Sequence, residues 1–181
     1  METKSMPQVS SLTFITGGAR SGKSSFAEEL AVKSAKDRVY IATMQGLDEE
    51  MKKRIKRHKK QRGEGWCTVE EPLDLLKSVK SGDKKNRVIL IDCLTLWVSN
   101  RMMKGEKEKE ILTSAEEIAK YCAGAKAEVI AVSNEVGMGL VPDNKLGRDF
   151  RDIQGRVNRI FAERAAKVFF LVSGIPLEVK K

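Results

Sequence analysis

Hydrophobic residues along this chain fall into short continuous runs, separated by longer polar segments. In five of these runs the apolar residues follow one another instead of alternating with polar ones, which is typical of strands buried on both faces. The runs span residues 12–16, 39–43, 87–92, 128–133 and 167–173. We expect them to form a mostly parallel sheet, with a further edge strand in the tail after Gly174.

The polar segments between the runs have helical character. They predict helices at 23–36, 47–61, 72–80, 108–122 and 145–165. Strands that alternate with helices in this way indicate an α/β fold. With 181 residues, 41% of them hydrophobic, the chain can bury one sizeable core. We expect a loose leader at 1–10 and a single domain at 11–181.

Charge narrows the class of partner. The chain carries 34 Lys and Arg against 25 Asp and Glu, a net charge of +9, which favours nucleotides, nucleic acid or a membrane surface. The longest apolar stretch, at 88–98, is too short to span a bilayer and contains Asp92. We therefore expect no stable insertion into a membrane.

The cysteines point to a reducing compartment. Cys67, Cys93 and Cys122 are odd in number and far apart, with no CxxC pair. This pattern indicates neither a disulfide framework nor a zinc site. We expect the protein to be cytoplasmic.

A glycine-rich motif carries the clearest chemistry. Residues 17–24, GGARSGKS, match GxxxxGK[ST] in full between a predicted strand and a predicted helix. Such a loop turns backbone N–H groups onto phosphate oxygens, and Lys23 adds positive charge near the β and γ phosphates. The predicted phosphate-binding residues are Gly17, Gly18, Ala19, Arg20, Ser21, Gly22, Lys23 and Ser24. The motif and the alternating elements together predict a three-layer fold like that of the P-loop NTPases.

Two residues are candidates for binding Mg²⁺. Ser24 can offer its hydroxyl to the ion, and Asp92 ends the apolar strand VILID, where P-loop folds place a metal-binding carboxylate. An acidic strand end is common by itself. Paired with the upstream glycine-rich motif, it predicts a magnesium site.

The single histidine is a candidate nucleophile. On a helix, Arg54, His58 and Arg62 would share one face. Two flanking guanidinium groups would disfavour protonation of the imidazole, so that a neutral ring nitrogen could attack phosphorus. A solvated basic helix, in which the histidine is incidental, is the alternative that charge runs usually represent. A nucleic-acid patch is a third interpretation, although only Trp66 follows the run for base stacking.

Several blocks of the sequence together resemble one known family. They are GGARSGKS, then YIAT, then LDEEMKKRIKRHKKQRGEGWCTVEEP, then DCLTLWVSN, then SNEVGMGLVPDNKLGRDFRDIQGRVN. In this order they are similar to the bifunctional adenosylcobinamide kinase and adenosylcobinamide-phosphate guanylyltransferase family. The resemblance covers nearly everything after residue 11, and the blocks around His58 and Glu135 are its most specific parts.

The resemblance implies two reactions in the assembly of the cobalamin nucleotide loop. A nucleoside triphosphate, GTP or ATP, phosphorylates adenosylcobinamide, and GMP is then transferred from GTP to give adenosylcobinamide-GDP. In the family the second reaction passes through a guanylylated histidine, which corresponds to His58. Members of the family are homotrimers.

The resemblance also implies a set of GTP contacts beyond the glycine-rich motif. They are Ala42, Thr43, Met44, Lys59, Lys60, Gln61, Arg62, Glu70 and Asp92. Two alternative functions stay open: a small-molecule P-loop kinase without the transferase step, and a nucleic-acid-binding ATPase suggested by the charge. We favour the bifunctional enzyme, with no nucleic-acid partner.

Two further features have alternative interpretations. Asn134 and Glu135 follow a predicted strand at its carboxyl end, where catalytic side chains tend to lie. Glu135 would either position a metal ion, a water or the acceptor hydroxyl, or serve only as a local hydrogen-bonding group. Trp97 is more typical of core or interface packing than of a platform for the corrinoid.

Overall fold

The computed structural model describes residues 10–44 and 62–181. These residues form one seven-stranded sheet and five helices. The strands are β1 Leu12–Gly17, β2 Asp37–Ala42, β3 Trp66–Glu70, β4 Arg87–Asp92, β5 Glu128–Val132, β6 Lys167–Val172 and β7 Ile175–Lys180. The helices are α1 Lys23–Ser34, α2 Leu75–Gly82, α3 Leu94–Met103, α4 Glu108–Ala123 and α5 Lys145–Arg164.

The sheet is parallel except at one edge. Its strand order is β3-β2-β4-β5-β1-β6-β7, and only β7 is antiparallel, where it pairs with β6. This confirms the predicted mostly parallel sheet and the predicted edge strand after Gly174. The five predicted strands and four of the predicted helices are present with small shifts of their ends, and the helix predicted at 47–61 lies outside the described residues.

Two elements were not predicted from the sequence. β3 is half exposed and mixes polar with apolar residues, so it lacks the continuous apolar run of the other strands. α3 begins at Leu94, directly after β4. Because the apolar stretch 88–98 runs through both elements, its hydropathy does not show where the strand ends and the helix begins.

Helices on both faces of the sheet form two separate cores. The larger core lies between the sheet and helices α2 to α5 and includes Phe14, Ile91, Trp97 and Phe161. The smaller core lies between the sheet and α1, and includes Ala27, Leu90 and Leu171. The three predicted layers are therefore present.

Trp97 belongs to the larger core. Its side chain is fully buried, and its Nε1 donates a hydrogen bond to the carbonyl oxygen of Leu73 at 2.8 Å. The interpretation of Trp97 as a packing residue is confirmed. Within the described ranges, no helix is both long and apolar enough to cross a membrane.

Candidate nucleotide-binding site

The glycine-rich motif forms a tight loop between β1 and α1. Gly17 ends β1 with φ 149°, and Gly22 precedes α1 with φ 90°, both in the region that favours glycine. A methyl group added at Gly17 would lie 2.5 Å from the carbonyl oxygen of Leu171. The loop therefore needs glycine at its entry for both conformation and space.

The turn between β6 and β7 supports this loop from one side. The backbone N–H of Gly174 donates to the carbonyl oxygen of Ser21 at 3.0 Å. On the other side, the N–H of Glu135 donates to the carbonyl oxygen of Gly17 at 2.9 Å. Both neighbouring strands thus fix the position of the loop.

Lys23 lies inside the loop at the start of α1. Its side chain is only 6% exposed, and its Nζ donates to the carbonyl oxygen of Gly18 at 2.6 Å. Burial lowers the pKa of Lys23, while the nearby Cys93 and Asp92 oppose that shift. The loop thus holds a desolvated amine that an anionic phosphate would stabilise in its charged form.

Three strand ends place the other described candidates at the same edge of the sheet as the loop. Ala42 is in register with Glu70 on one side and with Asp92 on the other. The carboxyl ends of parallel strands form the edge at which open α/β sheets bind ligands. Glu70, Ala42 and Asp92 therefore lie side by side at this edge.

Asp92 is held by a tyrosine that sequence reasoning missed. The hydroxyl of Tyr40 donates to Oδ2 of Asp92 at 2.7 Å. Burial raises the pKa of Tyr40 well above its ordinary value, and the charge and hydrogen bond of Asp92 add to the shift. Tyr40 therefore acts as a permanent hydrogen-bond donor to this carboxylate.

Arg62 contacts the same tyrosine. Its guanidinium carbon lies 3.4 Å from the centre of the Tyr40 ring, a close cation–π contact. Arg62 is the part of the predicted basic segment that the structure describes. His58, Lys59, Lys60 and Gln61 lie outside the described residues.

Glu28 of α1 faces this group of charges and was also missed. Burial raises the pKa of Glu28 to about 7, with the positive charge of Arg62 opposing the shift and the negative charge of Asp92 adding to it. No pattern in the sequence distinguishes Glu28 from the other carboxylates of a polar helix.

Thr43 has a structural role at the end of β2. Its hydroxyl donates to the carbonyl oxygen of Cys93 and accepts from the Cys93 N–H, both at 2.8 Å. Its own carbonyl oxygen accepts from Nδ2 of Asn100 at 2.9 Å. The side chain of Thr43 thus links β2 to the start of α3, and Met44 follows it at the edge of the site.

A buried polar network fixes the loop that follows β5. Nε2 of Gln154 donates to the hydroxyl of Ser133 at 2.9 Å and to Oδ1 of Asn158 at 2.8 Å. Asn158 in turn donates to the carbonyl oxygen of Asn134 at 3.0 Å. The network thus links α5 to the segment that contacts Gly17. Its three side chains all belong to the sequence block from Ser133 to Asn158 that carries the family resemblance.

The carboxylate of Glu135 has a local partner. Its Oε1 accepts from the N–H of Gly137 at 2.6 Å. This hydrogen bond agrees with the local hydrogen-bonding interpretation of Glu135, and the interpretation in which it positions a metal ion, a water or the acceptor hydroxyl stays a prediction.

Solved structures resemble this chain in fold. An ATPase from the type III secretion system of pathogenic bacteria has a TM-score of 0.54 at 11% identity, over 91% of this chain and 51% of that one. A KaiC-like protein from Pyrococcus horikoshii has a TM-score of 0.51 at 15% identity, over 89% of this chain and 71% of that one. At such identities the likeness concerns the fold alone, and it confirms the predicted P-loop NTPase-like class.

Sequence comparisons are closer and more specific. The model of a family described as cobinamide kinase / cobinamide phosphate guanyltransferase matches residues 13–179. The bifunctional adenosylcobalamin biosynthesis protein CobP of Pseudomonas aeruginosa is 41% identical over 92% of this chain and 95% of its own. The corresponding protein of Escherichia coli, CobU, is 40% identical over 93% of this chain and 99% of its own.

Proposed function

This chain belongs to the cobinamide kinase / cobinamide phosphate guanyltransferase family, and from that premise we propose which of its residues perform the two reactions. The protein is a bifunctional enzyme of adenosylcobalamin biosynthesis that acts on cobinamide with nucleotide substrates. The observation that carries the proposal is the glycine-rich loop around the buried Lys23, with Asp92 at the end of β4 close enough for its charge to act on Lys23.

In the first reaction, the loop at 17–24 binds the triphosphate of GTP or ATP. Its backbone N–H groups and the Lys23 ammonium hold the β and γ phosphates. The hydroxyl of adenosylcobinamide attacks the γ phosphorus, the bond from that phosphorus to the β-γ bridging oxygen breaks, and the nucleoside diphosphate leaves. Lys23 stabilises the negative charge that develops on the transferred group.

Mg²⁺ fits the donors at this site. The Asp92 carboxylate and the Ser24 hydroxyl are hard oxygen ligands, which Mg²⁺ prefers. In the part of the chain that the structure describes, no group of three or more His, Cys, Asp or Glu side chains could hold a metal ion. Mg²⁺ takes one or two protein ligands and completes its shell with phosphate and water. When bound, it would neutralise charge on the β and γ phosphates.

In the second reaction, His58 is the nucleophile. Its neutral ring nitrogen attacks the α phosphorus of GTP and pyrophosphate leaves, giving a guanylyl-histidine. The phosphate of adenosylcobinamide phosphate then attacks the same phosphorus, the P–N bond breaks, and adenosylcobinamide-GDP is released. The proposal for His58 rests on the family resemblance of the sequence around it.

We assign the remaining GTP contacts to the triphosphate and the nucleoside. Arg62, with Lys59, Lys60 and Gln61, would neutralise the triphosphate. Glu70 would accept either from the guanine N–H groups or from the ribose hydroxyls. The strand-end residues Ala42, Thr43 and Met44 would border the nucleotide. Their position at the carboxyl edge of a parallel sheet supports this assignment.

Labelling with radioactive GTP tests the proposal. Purified protein is incubated with Mg²⁺ and GTP labelled at the α or the γ phosphorus, then separated on a denaturing gel and challenged with acid. We expect acid-labile, alkali-stable label from the α position only, and none in His58→Ala. Phosphorylation of adenosylcobinamide is measured in parallel for both proteins.

The outcomes of this experiment separate the alternatives. Absence of α label in the wild type, together with phosphorylation of adenosylcobinamide, would leave a kinase without the transferase step. Hydrolysis stimulated by DNA or RNA, with binding that weakens steeply as salt rises, would indicate the nucleic-acid-binding ATPase.

We propose the cytoplasm as the location and residues 11–181 as one catalytic domain. The three cysteines are free thiols, which suits a reducing compartment.

We also propose a homotrimer without a nucleic-acid partner. β7 exposes Ile175, Leu177 and Val179 by 71%, 59% and 62%, and an association of subunits could bury this apolar strip. Sedimentation equilibrium, with Leu177→Glu as the disrupting variant, tests the trimer.

A further inference from the structure

Tyr40 makes two contacts at the site through different parts of its side chain. Its hydroxyl donates to Oδ2 of Asp92 at 2.7 Å, while the guanidinium of Arg62 lies 3.4 Å from its ring centre. One side chain thus touches a candidate metal ligand with its end and a candidate triphosphate ligand with its face.

The surroundings of Tyr40 leave its ring little freedom. It is 5% exposed in the smaller core and meets the ring of Trp66 edge to face, with the centroids 6.1 Å apart. The guanidinium carbon of Arg38 in turn lies 5.3 Å from the centre of the Trp66 ring. A ring fixed in this way can set the positions of the groups that contact it.

We propose that Tyr40 is a positioning residue for both reactions, because it orients Asp92 through its hydroxyl and Arg62 through its ring. This inference rests on the proposed function, in which Asp92 serves the metal ion and Arg62 serves the triphosphate of GTP. Neither the hydroxyl nor the ring reacts.

The hydroxyl contact bears on the metal ion. A carboxylate that accepts a hydrogen bond on one oxygen keeps a fixed orientation of the other, and loss of such outer contacts weakens metal binding. Asp92 is the only carboxylate proposed as a ligand, so its orientation matters for both reactions.

The ring contact bears on GTP through Arg62. The face of a tyrosine ring attracts a guanidinium group and restricts the plane in which it lies. A guanidinium held in one plane presents its N–H groups to phosphate oxygens in a fixed geometry. Loss of the ring would therefore impair transfer of GMP beyond any effect on the metal ion.

Two substitutions separate these contacts. Tyr40→Phe removes the hydroxyl and keeps the ring, whereas Tyr40→Leu removes both. Because phenylalanine fills the same space, the first variant tests the hydroxyl even in the event that the second fails to fold, which circular dichroism would reveal.

The chain supplies a matched control. It contains two tyrosines, and the other, Tyr121, also donates to an aspartate, to Oδ2 of Asp83 at 2.9 Å. A cation also lies over its ring, Nζ of Lys80 at 5.5 Å. Asp83 accepts from the N–H of Ala127, just before β5, so this pair lies at the opposite edge of the sheet. Tyr121→Phe thus removes an equivalent hydrogen bond away from the site.

The test combines metal binding with histidine labelling. Binding of Mn²⁺ to the protein with GDP is measured by electron paramagnetic resonance, which does not depend on activity. We expect the Kd of Mn²⁺ to rise about tenfold in Tyr40→Phe and to stay unchanged in Tyr121→Phe. At saturating Mg²⁺, labelling of His58 from α-labelled GTP should match the wild type in Tyr40→Phe and fall about 3- to 30-fold in Tyr40→Leu.

Other outcomes would overturn the inference. A Kd of Mn²⁺ in Tyr40→Phe that equals the wild-type value would remove the role of the hydroxyl. Equal losses of kinase activity with ATP and of labelling from GTP in a folded Tyr40→Leu, at saturating Mg²⁺, would make the ring a packing group only. Failure of the proposed function looks different, because the wild type itself would then take no label at His58.

Discussion

The two cores of this molecule differ in what closes them at the carboxyl edge of the sheet. The larger core is covered by four helices, and its one indole N–H is satisfied locally by the carbonyl oxygen of Leu73. Among the described helices, α1 covers most of the smaller core, with Leu96 of α3 also packed against it. Polar groups lie at the carboxyl end of this core. Tyr40, Asp92 and Lys23 form that end.

This difference separates stability from ligand binding. Close packing makes any cavity destabilising on either face. Only the smaller core, however, supports the helix that begins with Lys23, since α1 packs mainly against β4 and β5. A cavity there should reach the nucleotide site, whereas a cavity in the larger core should not.

The largest expected effect is in a pair of adjacent residues that point to opposite faces. Ile91 is buried in the larger core and Leu90 in the smaller core. Ile91→Ala and Leu90→Ala should each lower the free energy of unfolding by about 2–5 kcal/mol. Only Leu90→Ala should also weaken GTP binding to the folded protein, because α1 rests on this side of β4.

Denaturant unfolding and calorimetric GTP titration, both at a temperature where the variants stay folded, measure the two effects. Equal losses of GTP affinity in the two variants would contradict the division between the cores.

Substitution of Lys23 should produce the opposite result, a loss of chemistry without a loss of stability. Methionine has a similar length and suits a buried position, and burial already disfavours the charged lysine. In Lys23→Met we expect phosphoryl transfer to fall about 100- to 1,000-fold, equivalent to about 2.7–4 kcal/mol of transition-state stabilisation. Steady-state kinetics and thermal unfolding check the two parts, and a melting temperature far below that of the wild type would contradict the second.

Gly17 is the last residue of β1, directly before the glycine-rich loop. Its substitution should affect stability through the backbone. An added methyl group would meet the carbonyl oxygen of Leu171 at 2.5 Å, and φ is 149°. Gly17→Ala should therefore cost about 1–3 kcal/mol of unfolding free energy. Gly18→Ala is the control, since a methyl group there meets nothing within 4 Å. Similar denaturation midpoints for the two variants would show that the crowding at Gly17 is relieved without cost.

The sequence predicted the fold well because parallel buried strands have a continuous apolar pattern. This pattern located all five strands that lie inside the sheet, and the glycine-rich motif located the loop after β1. It did not locate β3, an edge strand with exposed polar positions. It also did not divide 88–98, because a buried strand and a buried helix have the same hydropathy.

The site was predicted only as far as local motifs extend. Residues 17–24 form one contiguous pattern, and Asp92 ends a recognisable strand. The contact between Tyr40 and Asp92 joins residues that are 52 positions apart, and it depends on the pairing of β2 with β4. Strand order is a property of the whole fold, so no spacing in the sequence could reveal this contact.

The smallest expected effect concerns Glu28, the titratable group on the α1 side of the site. Burial, the largest cause, raises its pKa from 4.5 to about 7, with Arg62 opposing the shift and Asp92 adding to it. The folded state thus binds this proton more tightly than the unfolded state. The resulting stability is fully present below pH 4.5 and is lost as the pH rises through about 7.

Glu28→Gln removes this dependence, so the wild type should lose stability relative to the variant between pH 5 and pH 8. We expect the change to be less than about 1 kcal/mol, because partial exposure screens the group. Glu29→Gln, on the exposed side of the same helix, is the control for removing a carboxylate from α1. The measurement is the denaturant midpoint of the wild type and of each variant at pH 5 and at pH 8. Parallel pH dependences of the wild type and Glu28→Gln would show that Glu28 is ionised as readily in the folded as in the unfolded chain.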